Sequence, residues 1–206
     1  MLNEGSITIA VPGTSKVIQG GGTLANIGDI TIDGPTASID GITITNTGTI
    51  KVNGALDLGT VTLGGTNGNI GTIDADSFNA GQFIVLPNVT QGTNHNMYTI
   101  QYLKGITNIP NNGSLTAISH SVSFLADLQK DDTDPDLVRI VMVKIPYKKL
   151  LSGTEAIEFG NGLDELYTGA VNKELKMFDA LDLISNKDEL GATFDMELRG
   201  NVYANI

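Results

Sequence analysis

Ile30-Thr31-Ile32-Asp33-Gly34, Ile42-Thr43-Ile44-Thr45-Asn46, Ile50-Lys51-Val52-Asn53-Gly54, Val61-Thr62-Leu63-Gly64-Gly65 and Ile70-Gly71-Thr72-Ile73-Asp74 are five copies of one short pattern. Apolar residues alternate with small polar ones, and each copy stops at Gly, Asn or Asp. That is a short strand ended by a turn. The copies start 12, 8, 11 and 9 residues apart, and neighbouring steps add to 20, 19 and 20. A long-short alternation near twenty is what a solenoid gives when each coil carries two visible strands. The spacing predicts that Ile30, Ile50 and Ile70 stack on one another, as do Ile42 and Val61. The fold class is therefore mainly β, a parallel β-helix of about 20 residues per coil, and the repeat alone names no chemistry.

Outside that stretch, composition sets limits. The chain has 206 residues, enough for one large domain or two modest ones with a real core. Acidic residues outnumber basic ones 23 to 12, a net charge of −11. Nothing here would neutralise a row of phosphates, so nucleic acid is excluded as a partner, and anionic membrane surfaces are disfavoured. With no cysteine there are no disulfides, no thiol catalysis and no cysteine-ligated zinc. No apolar run reaches the length of a membrane helix. The opening Met1-Leu2-Asn3-Glu4-Gly5 lacks the basic and apolar regions of a signal peptide, so an exported form is expected to be a piece of something longer.

The chain divides into three parts. Residues 1–90 hold 16 of the 25 glycines and two lysines, Lys16 and Lys51, against seven acids, the composition of stacked strands with tight corners. In residues 91–150 the strands lengthen: Met97–Leu103, Leu115–Leu128 and Leu137–Tyr147. The last two flank a polar turn and read as a long hairpin that covers the end of the coils. Residues 151–206 turn helical. Leu163, Leu166 and Tyr167 fall at helical spacing, as do Leu175, Phe178 and Leu181, and then Leu190, Phe194 and Leu198. Ser185 and Asp188 are placed to form a capping box for the last helix, with Asp188 and Glu189 favouring its start through the dipole. The chain stops at Ile206 with no helix-stop signal, which reads as a cut within a longer chain.

The tail from Val171 to Ile206 resembles the segment before the translocator barrel of type V autotransporters, and is most similar to the large fusobacterial-type adhesins. Leu198-Arg199-Gly200-Asn201-Val202-Tyr203-Ala204-Asn205 matches a leucine, small residue, Gly, Glu, aromatic or His, Ala pattern of that family, with Asn201 in place of the usual acid. Asp136–Tyr147 resembles the autochaperone region at the end of the passenger. The resemblance implies a right-handed β-helix, an autochaperone-like cap and a helical lead toward an outer-membrane barrel. It further implies the membrane-proximal stalk and folding template of a surface-displayed adhesin, involved in adhesion, aggregation and virulence. Its expected partners are the protein's own barrel, the barrel-assembly machinery and a host or bacterial receptor. The expected location is the outer-membrane surface of a Gram-negative bacterium, or the medium after secretion.

The candidate chemistry is thin. A carbohydrate-active β-helix enzyme, the alternative reading, needs grouped carboxylates on one solenoid face. Asp33, Asn53 and Asp74 are expected to stack, but Asp33 and Asn53 each precede glycine, which marks a corner ladder. Asp29, Asp40 and Asp57 follow no common period. Asp131, Asp132, Asp134 and Asp136 resemble a calcium loop yet lack its central Gly and distal Glu, and read as a solvated hairpin tip. His95 and His120 have no carboxylate or cysteine at ligand spacing. No catalytic, cofactor-binding or metal-binding residue is assigned, and no cofactor is expected. A free-standing binding module would need an exposed aromatic patch that six Phe and five Tyr scarcely supply. The C-terminal apolar stripes fit two fates: docking on the cap, or threading a barrel pore.

Overall fold

The computed structural model describes residues 1–64, 71–78, 81–86, 97–104, 115–130, 133, 137–169 and 173–195. It is mainly β, a parallel β-solenoid of about three turns followed by short helices. The first coil is β1 (Leu2–Asn3), β2 (Ser6–Ala10) and β3 (Thr14–Gln19). The next two are β4 (Thr23–Asn26) with β5 (Asp29–Asp40), and β6 (Thr43–Asn46) with β7 (Thr49–Leu58). β8 (Thr60–Gly64), β9 (Thr72–Phe78) and β10 (Gly81–Val85) continue the stack.

One wall is a six-stranded, wholly parallel sheet in the order β1-β4-β6-β8-β10-β12, where β12 is Leu115–Ser119. The other runs β2-β5-β7-β9 and then takes in three further strands, β11 (Met97–Lys104), β14 (Leu137–Lys144) and β13 (Phe124–Lys130). Stacking in register puts like residues over one another: Ile7, Ile30, Ile50 and Ile73 form one column. The expected column thus holds at Ile30 and Ile50, but Ile73 completes it. Ile70 lies outside the described residues. The step from β7 to β9 is 23 residues rather than 20, because this coil carries extra residues ahead of β9. On the other wall Ile44 lies over Leu63, and the same offset of 19 aligns Ile42 with Val61 as expected.

The two strands per coil that the spacing predicts are β4 with β5 and β6 with β7, and the first coil adds a third, β3. β5 alternates buried and open positions over its first half (Ile30, Ile32), shifts register between Asp33 and Thr36, and resumes with Ala37 and Ile39 buried. β2 pairs with its first half and β3 with its second.

The expected single strand Leu115–Leu128 is also two strands. The chain leaves β12, turns through residues 120–123 and enters β13 on the opposite wall. Two serines make the turn: Ser119 Oγ accepts the amide of Ser121 and Ser121 Oγ that of Ser123, both at 3.0 Å. β13 and β14 then form the expected antiparallel hairpin, with Leu128 opposite Ile140. Phe124, Val138, Ile140 and Met142 join Leu24, Ile50, Leu63 and Phe83 in one continuous apolar core.

A second core follows. It is built by α1 (Tyr147–Leu150), α2 (Thr154–Gly169), α3 (Lys173–Leu181) and α4 (Lys187–Thr193). Tyr147, Leu163, Phe178, Leu181, Leu190 and Phe194 are buried in it. Leu166, expected on the same stripe, is exposed. The last helix is capped one residue later than expected, by Asn186, whose side chain accepts the amide of Asp188 at 2.8 Å. Leu198 and the motif ending at Asn205 lie outside the described residues.

Candidate functional site

Among the described residues, the carboxylates of the coils do not gather into one group. Asp33 and Asn53 do stack, the Asn53 amide donating to Asp33, on an exposed edge. Asp74 does not join them: in register it faces Lys51, again because of the 23-residue step. Asp40 serves its own corner, accepting the amide of Thr60 at 2.8 Å. His120 is exposed, in the turn after β12. Among the described residues no three His, Cys, Asp or Glu side chains are grouped to hold a metal. His95, Asp131, Asp132, Asp134 and Asp136 lie outside those residues.

What organises the coils is a polar ladder that the Ile spacing does not reveal. Asn3, Asn26 and Asn46 are buried in an otherwise apolar interior. Asn3 Nδ2 donates to Asn26 Oδ1, and Asn26 Nδ2 to Asn46 Oδ1, both at 2.7 Å. Asn26 Nδ2 also reaches the carbonyl of Gly28 (3.0 Å), and Asn46 Nδ2 that of Gly48 (3.1 Å). A buried amide needs such partners, and here each rung supplies the next. Gly28 and Gly48 complete the corner by close approach, because a Cβ on Gly28 would run into the carbonyl oxygen of Gly5, and one on Gly48 into that of Gly28. The sequence signal was present as Asn-x-Gly at residues 3, 26, 46 and 69.

The second polar group sits where β14 meets the helices. Asp182 is fully buried just after α3. Its Oδ1 accepts from Lys144 Nζ at 2.6 Å and from the Tyr147 hydroxyl at 2.7 Å, and its Oδ2 accepts from the Tyr167 hydroxyl at 2.8 Å. Lys144 Nζ also lies 3.7 Å from the centre of the Tyr147 ring. Burial pushes the Lys144 ammonium below its ordinary 10.5, with the attraction of Asp182 working against that shift. Burial, and then the adjoining Asp182 charge, drive the Tyr147 phenol far above its ordinary value. The phenol is therefore a permanent donor at neutral pH. Asp164 of α2 fixes the start of α1 by accepting the amides of Tyr147 (2.7 Å) and Lys148 (3.3 Å).

This knot holds the helices against the end of the hairpin, and Val122 adds a backbone bond to Ile184 at 3.0 Å. Of the two fates open to the apolar stripes, docking describes residues 147–169 and 173–195. The cluster is enclosed, with each oxygen of Asp182 engaged, so it ties β14, α1 and α2 together. A groove of about 650 Å³ beside α1 and α4 is lined by Leu150, Phe159 and Phe194 with Lys149, Lys187, Asp188 and Asp195. Two charges of each sign give it no preference for an ion of either kind. Among the described residues no helix is long and apolar enough to cross a membrane. No family model, curated protein or solved structure matches the chain.

Proposed function

We propose that β11, β13 and β14 form a folding template for the coils, at the membrane-proximal end of a β-solenoid stalk in an autotransporter-type adhesin passenger. The observation that carries the reading is the shared core. β11 pairs in parallel with β9 on one side and antiparallel with β14 on the other, so one strand converts the coil register into a closed hairpin. Inward residues Val138, Ile140 and Met142 fill the end of the same apolar column that runs through the coils. An open solenoid end would present a wet core, and this cap fills it, with β12 and β13 as the last strands of the two sheets among the described residues. Adhesion or aggregation then belongs to the whole displayed protein. Its own outer-membrane barrel and the barrel-assembly machinery are the nearest partners, a surface receptor the distal one, and the bacterial cell surface the place of action.

Ile140→Asp tests the template role. It puts an uncompensated charge into the core at a cost of about 3–5 kcal/mol. Refolding from urea, followed by circular dichroism of the β signal, is expected to fail or to slow by orders of magnitude. Coils that refold at the parent rate in this variant would overturn the reading.

A further inference from the structure

The six-stranded wall differs from the rest of the surface in charge. Its strands alternate inward and outward residues, and among the described residues none of the outward ones is charged. The chain as a whole carries −11. On the opposite wall the outward positions of β5, β7 and β9 include Asp29, Asp33, Lys51 and Asp74. Charge ordinarily keeps an exposed sheet apart from other surfaces, so a neutral face on so acidic a molecule stands out.

Threonine in register fills that face. Thr23, Thr43 and Thr62 stand over one another, and Ile84 and Ile118 continue the column. Thr45 lies beside Thr43 on β6, and Thr60 beside Thr62 on β8, where Gln82 and Thr116 follow it in register. All of these side chains are exposed or half-buried. A threonine is stiff at its first torsion and ends in one methyl and one hydroxyl, so each column repeats the same pair of groups. The repeat is about 4.8 Å across the strands and about 6.6 Å along them.

The array is also regular. Among the described residues no pairing within this wall carries a register shift. Those of β3 with β5, β5 with β7, β7 with β9 and β11 with β14 all do. Bulges add twist, so the wall without them is the flatter of the two. Beneath it the amides of Asn3, Asn26 and Asn46 hold β1, β4 and β6 at fixed offsets.

A neutral, flat array of hydroxyls and methyls fits a partner that is itself a neutral lattice, and its two repeats are close to those of the oxygen atoms on a face of ice. We propose that this wall binds the surface of an ice crystal. The hydroxyls hold water by hydrogen bonds, and the methyls between them order water that they cannot bond, so the first layer joins the crystal. A second copy of the chain fits less well. Six strands of about five residues cover roughly 450 Å², about half of what each member of a stable protein pair buries. A crystal, by contrast, has no conformational freedom to lose on contact. The face lies on the side of the solenoid, so the proposal stands or falls independently of the template role.

The test holds a single ice crystal in a solution of the whole chain. The expected result is faceting of the crystal, a gap between its melting and freezing temperatures, and uptake of fluorescently labelled chain into growing ice. Thr43→Lys combined with Thr62→Lys plants two charges in the middle of the column and is expected to abolish all three. Thr31→Lys, outward on the opposite wall, is expected to leave them at the parent level. Circular dichroism melts check that the variants fold, and the parent is read first, so a variant that fails to fold does not shield the proposal. A parent chain that leaves the crystal round and the gap closed overturns it. So does an undiminished effect in the double variant, an equal loss in Thr31→Lys, or sedimentation showing a parent dimer that the double variant dissolves.

Discussion

The coils with their cap and the helical unit solve the same problem, burying polar groups in an apolar interior, in opposite ways. The coils use a neutral group repeated: Asn3, Asn26 and Asn46 each satisfy the next, so any one rung matters about as much as its neighbours. The helices use charge once: Asp182 carries Lys144, Tyr147 and Tyr167 together. A repeated neutral ladder gives register and length, while a single buried ion pair gives one fixed joint. The difference teaches where each region breaks, since damage to a ladder spreads along the stack and damage to the joint stays local.

The largest effect is expected at the joint. Asp182→Ala leaves a buried ammonium without its counter-charge, a loss of about 3–5 kcal/mol. The comparison requires that loss to appear in α2 and α3 amide exchange, while β5 and β7 keep their protection. Next comes the ladder. Asn26→Leu removes the middle rung and takes from the Asn3 amide one of its two acceptors, at a cost of about 1–3 kcal/mol for each group left unpaired. Here the melting temperature of the coil β signal is expected to fall, and the near-ultraviolet signal of the tyrosine-rich helices to change little at temperatures below that transition.

Alkaline pH separates the two regions further. The raised Tyr147 pKa means that the unfolded chain loses this proton near 10.0 while the folded chain keeps it. That stabilising contribution is whole below pH 10 and declines above it, by about 1.4 kcal/mol per pH unit. Lys144 works the other way: its folded pKa is lowered, so it raises stability with pH, but only up to its ordinary 10.5. Above about 10.5 the phenol alone governs, and the helical unit is expected to weaken steadily. In Tyr147→Phe that slope disappears from urea titrations taken between pH 10.5 and 11.5, although the variant starts lower for want of its hydrogen bond to Asp182. The smallest effect belongs to the outer face of the cap. Leu125 is 62 % exposed, and Leu125→Lys is expected to shift stability by no more than about 0.5 kcal/mol. A large loss there would mean that the cap is covered on its outer face as well.

The parts that sequence made legible are those that repeat. Inward isoleucines in stacked parallel strands must recur, so Ile30 and Ile50 disclosed the coil and its period. Their spacing was a poorer guide to register than the corners: Asn-x-Gly recurs at 23, 20 and 23 residues, the same steps by which Ile7, Ile30, Ile50 and Ile73 align. Reading those asparagines only as turn formers concealed that their side chains point inward. The register shift between Asp33 and Thr36 escaped notice because pairing with β7 resumes on its far side. The joint was beyond reach for a different reason. Lys144 and Asp182 are 38 residues apart, and no local pattern distinguishes an acid that will be buried from one on a solvated helix end.

The most direct measurement is native-state hydrogen exchange of the whole chain in increasing urea. The account holds that coils and cap are one cooperative unit, joined through β11 and the shared core, with the helices a second unit hinged on Lys144 and Asp182. It predicts that β4–β9 and β13–β14 lose protection in a single step, separate from α2 and α3. If β13–β14 open while β4–β9 remain fully protected, the coils do not depend on their cap, and the central claim is wrong.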